Sequence, residues 1–140
     1  MCQIKSEIPH DTEKDIVCYK VFGKLGPDKD PTYYGPYQSR NYNLGVTYVD
    51  DTEEIIKCSF YGGINLGAGY FHLIEKREDA FLLKTHMEGL YSDRFVVARC
   101  TIPAGTKISK GRYNVVDEIG ISSICSKSFR IENEEESLCV

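Results

Sequence analysis

An α+β domain, a mostly antiparallel, split β-sheet with one main helix packed on it, is the fold class this chain predicts. Three observations carry the prediction. Short runs rich in β-branched and aromatic residues recur along the sequence, and only the segment 75–88 has helical periodicity. A glycine-flanked aromatic segment, Gly67-Ala68-Gly69-Tyr70-Phe71-His72, leads through that helix into an apolar strand closing on Ile102-Pro103-Ala104-Gly105-Thr106. Glycines there let a backbone approach a ligand closely, and Tyr70 and His72 set a stacking face and a titratable nitrogen beside it.

Taken in order, the first strand is 16–22, Ile-Val-Cys-Tyr-Lys-Val-Phe, ended by the loop 23–31 with its Gly26-Pro27-Asp28 step. The aromatic segment 32–42, broken at Gly35-Pro36, is not expected to be regular throughout. Strands at 44–49 and 55–61 flank the acidic Asp50-Asp51-Thr52-Glu53 and are expected to pair antiparallel across it as a hairpin. In the helix, Ala80, Leu83 and Met87 recur at intervals of three and four, Phe81 broadens that face, and Gly89 is the expected stop. The strand 94–102 follows and ends at Pro103 and Gly105. The segment 113–124 has no clear assignment, and a last strand is expected at 128–131.

Length and charge bound the function. A chain of 140 residues fits one domain and buries roughly two-thirds of its unfolded surface without disulfides or metals. We expect that domain over 1–131, with an acidic, flexible tail over 132–140 that begins Glu132-Asn133-Glu134-Glu135-Glu136. Seventeen basic and 21 acidic residues give a net charge of −4 without clustered Lys and Arg, which excludes a protein that tracks a nucleic-acid backbone. There is no 18-residue apolar run, so no membrane is expected as a partner, and the polar segment 1–7 carries no export signal, which points to the cytoplasm. The six cysteines include no pair spaced as zinc ligands, and His10, His72 and His86 form no repeating ligand pattern. No metal or cofactor is expected, and the thiols are read as reduced and mostly buried, with Cys18, Cys58 and Cys100 inside strand-like runs.

The candidate binding residues are Tyr34, Tyr37, Arg40, Tyr70, His72 and Arg77. Tyr33, Tyr34, Tyr37 and Tyr42 can stack a planar ligand such as a nucleobase, with Arg40 or Arg77 holding phosphate through its fork geometry; they can equally be a loop packed on the sheet by its rings. Alternation puts His72 on the Tyr70 face, opposite Phe71 and Leu73, and so either toward a groove or toward solvent. Lys107 and Lys110, beside Gly105 and Gly111, make either a small anion site or a charged hairpin.

The layout Gly-x-Gly-Tyr-Phe at Gly67 to Phe71, a helix carrying Ala80, and a strand from Phe95 to Ile102 running into Pro-x-Gly resembles the central portion of ADP-ribosyltransferase-like domains. It also resembles small uncharacterised proteins of gut Bacteroides and their phages. The resemblance covers about forty residues. It implies a split, mostly antiparallel β-fold around a groove that in the transferases holds nicotinamide adenine dinucleotide, with an Arg or His on the first core strand, a Ser or Tyr on the middle one and a catalytic Glu on a late one. Here the first strand offers Tyr19 and Lys20, the middle one Tyr70 and His72, and the late acid is Asp117 or Glu118, which can also be a solvated turn.

The function expected from these features is non-enzymatic: a small binding protein, in origin phage-derived by that resemblance, that captures a nucleotide-like small molecule or a host protein in an aromatic groove. The alternatives are a divergent ADP-ribosyltransferase-like enzyme using nicotinamide adenine dinucleotide, and a structural or virion-associated protein whose groove is only packing.

Overall fold

In the computed structural model, residues 3–35, 38–53, 56–58, 64–66, 69–115 and 119–136 are described. They form thirteen strands and one helix: β1 (Gln3–Ser6), β2 (His10–Asp11), β3 (Ile16–Leu25), β4 (Thr32–Gly35), β5 (Gln38–Tyr42), β6 (Thr47–Val49), β7 (Ile56–Cys58), β8 (Ile64–Leu66), β9 (Phe71–Ile74), α1 (Arg77–Leu90), β10 (Phe95–Ile102), β11 (Lys107–Val115), β12 (Ile119–Ser126) and β13 (Ser128–Glu135). The sheet runs β6-β13-β10-β3-β9-β12-β11-β1-β8-β7, with β2 on β11 and the β4–β5 hairpin on β3. Every strand pair among the described residues is antiparallel. The fold is therefore α+β, and richer in sheet than the sequence suggests. No helix among the described residues is long and apolar enough to cross a membrane.

Strand alternation builds two layers. On β3 and β10, Val21, Phe95 and Val97 face α1, where Ala80, Leu83 and Met87 cover them together with Ile74, Tyr113 and Ile121. The opposite faces carry Cys18, Phe22, Ala98, Cys100 and Ile102, which join Tyr33, Tyr42, Phe71, Leu73, Ile108, Ile124, Phe129 and Ile131 in a second, aromatic layer. Most rings meet there tilted or edge-on, as at Phe71–Phe129 (4.7 Å between centroids) and Phe22–Tyr42 (5.4 Å), while Phe22 and Phe129 stack at 6.4 Å.

Several boundaries differ from those expected. β3 continues through Gly23 to Leu25 because β4 pairs with it, and a Cβ at Gly23 would sit 1.9 Å from the Tyr34 ring. Glycine there is a packing requirement, not a strand terminator. The segment 32–42 is regular on both sides of its Gly-Pro step, as β4 and β5, and buries Tyr33 and Tyr42 as core. The hairpin expected across Asp50 to Glu53 is not seen among the described residues: β6 pairs with β13 and β7 with β8. The unassigned segment 113–124 belongs to the β11–β12 hairpin.

The helix runs to Leu90, and Gly89 lies inside its last turn; Tyr91 closes it by donating its backbone N–H to Met87 O at 2.9 Å. Gly105, at φ 82°, does make the turn after β10, and its N–H donates to Thr12 O. The acidic segment expected as a flexible tail continues β13 to Glu135, because β10 pairs it through Val97↔Glu135 and two of its carboxylates meet cations: Glu134 with Lys24 and Glu135 with Arg77.

The helix face gives a direct test. Leu83 is 6% exposed beneath α1, so Leu83→Ala should lower the unfolding free energy by about 2–5 kcal/mol. Lys84→Ala removes only an i,i+4 surface pair with Glu88 and should cost roughly 0.3–0.5 kcal/mol. Urea denaturation of both variants measures the difference, and equal losses would reverse the face.

Candidate functional site

Arg40 occupies the most distinctive position of the six candidates. It is exposed on β5, yet its guanidinium carbon lies 5.5, 5.3 and 5.3 Å from the ring centroids of Tyr42, Tyr48 and Phe71. Three strands supply these rings: β5, β6 and β9. Tyr42 and Tyr48 meet edge-on at 4.9 Å, and the Tyr48 hydroxyl accepts the Asn43 N–H at 2.7 Å, which fixes the turn between them. Burial holds the Tyr42 phenol above its usual range, with the Arg40 charge opposing. Arg40 has no ion pair among the described residues, so its N–H donors are positioned by cation–π contact and not by a carboxylate.

Tyr70 and His72 come together elsewhere, on the other face of the sheet from Phe71 and Leu73, as alternation predicts. Cys125 stands between them on β12. Its Sγ lies 3.4 Å from His72 Nδ1, and Tyr70 packs on it. His72 is half-buried and its ring lies 5.7 Å from that of Tyr113. Tyr70 does not offer an open stacking face: it is 1% exposed, and the Lys127 ammonium sits 4.6 Å over its ring. Lys127 also donates to Thr52 O at 3.1 Å and to Gly69 O, tying both segments to the β12–β13 turn.

The other candidates are engaged separately. The Tyr34 hydroxyl donates to Asp93 at 2.9 Å, while Arg77 meets Glu135 at 3.3 Å and the Phe81 ring at 4.6 Å. Lys110, one of the pair read as either a small anion site or a charged hairpin, lies 3.7 Å from Glu75. Tyr37, Asp117 and Glu118 lie outside the described residues. The five candidates among the described residues are thus not gathered into one groove. Phe71 is the bridge between the two clusters, touching the Arg40 rings while its chain neighbours Tyr70 and His72 face the other way.

Lys20, offered by the sequence only as a basic residue of the first strand, takes a position in the structure that the sequence did not specify. β3 and β9 pair only at Tyr19↔Ile74 before β4 takes over the same edge of β3, and the Lys20 ammonium bridges the interval by donating to His72 O at 2.6 Å. Burial lowers its pKa, opposed by the thiols of Cys100, Cys18 and Cys125. Cys18, opposite Cys100 across β3 and β10, is itself pushed up to about 12 by burial, and Cys100 goes well above its ordinary value for the same reason. All three thiols are buried. The signal for Lys20 was present in the alternation, which puts it on the inward Cys18 and Phe22 face.

At the far end of β3 the Lys24 side chain, 5% exposed, meets Glu134 at 2.9 Å and Asp28 at 3.2 Å, and Arg94 holds the Asp28 carboxyl below its usual range. Among the described residues no group of three or more His, Cys, Asp or Glu side chains could hold a metal ion.

Two measurements check these placements. Tyr70→Ala should lower the unfolding free energy by about 3–5 kcal/mol in urea, as for a buried ring. Hydrogen bonding to Glu134 raises the Lys24 pKa above 10.5, so its stabilisation is fully present below that value and is lost as pH rises through the folded value. The melting-temperature difference between the unsubstituted protein and Lys24→Met should therefore be constant from neutral pH to about 10 and shrink above it; a constant difference throughout would assign the effect to packing alone.

The chain matches no protein-family model, no curated protein and no solved structure. Its functional reading therefore stands on the residues and geometry described above.

Proposed function

We propose that this protein is a non-enzymatic binding protein that captures a nucleotide-like, anionic small molecule at Arg40. The observation that carries the reading is the guanidinium held over Tyr42, Tyr48 and Phe71 with no carboxylate partner among the described residues. A surface arginine ordinarily loses much rotamer freedom when it grips an anion. Here three rings restrict the side chain beforehand and leave the edge of its fork for phosphate oxygens. Tyr42 and Phe71 are buried beneath it, so a base is received on the outer face of the guanidinium plane and not between tyrosines.

A transferase reading is the alternative. The single pairing of β3 with β9, with Lys20 and His72 at the divergence, favours it as the split that such a groove requires. Its chemistry needs a carboxylate at the ribose, for which Asp117 and Glu118 are the candidates. A structural or virion-associated role is the third reading, in which Arg40 only covers the aromatic layer.

The experiment is a thermal-shift panel of nucleotides, cyclic nucleotides and dinucleotides on the unsubstituted protein and Arg40→Met. A ligand at a hundredfold its dissociation constant should add about 2.7 kcal/mol of stability, and Arg40→Met should abolish the shift while costing the unliganded fold only about 0.5–1 kcal/mol. Nicotinamide release that disappears in Glu118→Gln would select the transferase. No response to any phosphate-bearing compound would leave Arg40 as packing.

A further inference from the structure

β3 changes neighbours along one edge. It meets β9 at Tyr19↔Ile74 and β4 from Gly23↔Tyr34 onward, so among the described residues the stretch from Lys20 to Phe22 has no strand beside it on that edge. Lys20 stands at this fork. Its side chain projects on the Cys18 and Phe22 face, its ammonium lies 5.8 Å from the Phe22 ring centroid, and it donates to His72 O at 2.6 Å. An ammonium has three N–H donors, and a carbonyl occupies one of them without neutralising the charge.

No carboxylate pairs with Lys20 among the described residues, whereas Lys24, one turn of the pleat further along β3, has both Glu134 and Asp28. The thiols on its own face bring no negative charge either, because burial holds Cys18 up at about 12 and Cys100 well above its ordinary value. Lys20 is also half-buried and not sealed. A cation withdrawn from water without a counter-charge is costly to the fold, and an anion that enters beside it offsets that cost.

We propose that the fork of β3 is an anion site, in which Lys20 Nζ gives its remaining N–H donors to the oxygens of a phosphate group, free or carried on a larger molecule. A compact ammonium suits phosphate as a point charge. The site is separate from the contact proposed at Arg40, which rests on Tyr42, Tyr48 and Phe71 and not on Phe22, so either reading can fail without the other.

The Lys20 amine itself reports occupancy. The full chain is reductively methylated with formaldehyde under native conditions, with inorganic phosphate titrated against sodium chloride at constant ionic strength, and each lysine's rate is read by peptide mass spectrometry. Phosphate should slow Lys20 along a saturating curve, by about tenfold at ten times its dissociation constant, with the exposed Lys14 within about twofold of its original rate. The protection should persist in Arg40→Met. In a parallel thermal-shift titration, Lys20→Gln, which keeps a side-chain N–H donor and removes the charge, should need at least about tenfold more phosphate for the same shift. An unchanged Lys20 rate at high phosphate overturns the proposal, as does equal slowing of Lys14 or protection that vanishes in Arg40→Met. Should Lys20→Gln fail to fold, the labelling of the unsubstituted protein decides.

Discussion

Burial of β3 on both faces is the constraint on which the rest of this structure depends. Its ladder with β10 is continuous from Ile16↔Ile102 to Gly23↔Phe95, and from that paired core one face receives α1 and the other receives the aromatic rings. A strand with two apolar neighbours must carry side chains that suit both. Val21 suits the helix, while Cys18 and Phe22 suit the rings, and Gly23 admits the Tyr34 ring at the one place where a hairpin crosses close by.

Within that frame the polar groups are informative because they stand where apolar ones would be easier to bury. Lys20 projects toward the aromatic layer and donates to a backbone carbonyl where β3 diverges from β9, so an inward lysine meets an acceptor that the divergence leaves within reach. Lys24 does the same at the strand's end with Glu134. Gln3 does so across three strands, satisfying groups of β11 and β12 from β1. In each of these contacts the donor and acceptor are far apart in sequence, and the bond exists only once the sheet has formed.

Arg40 is a different case, since it is exposed and held only by rings. Cation–π contact fixes the guanidinium without consuming its hydrogen-bonding edge, which separates it from Arg77 and Arg94, both satisfied by carboxylates. That contrast is why the functional reading rests on Arg40 and not on the other arginines.

Local pattern was enough to read the fold class, the face and approximate extent of the helix, the strands around Cys18 and Cys100, and the opposition of Tyr70 and His72 to Phe71 and Leu73. Each depends on periodicity within a few residues, which alternation and the 3.6-residue repeat record directly. Arg40 was legible as a candidate by residue type, but its seat was not, because Tyr48 and Phe71 reach it from strands distant in the chain. Strand partners were likewise decided only by the tertiary structure: β6 chose β13 over β7, the acidic segment after Ile131 became strand because β10 offered it an edge, and Tyr70 became core because Cys125 and Lys127 close over it. Pairing energy and burial belong to two segments at once, and a single stretch of sequence carries only half of each.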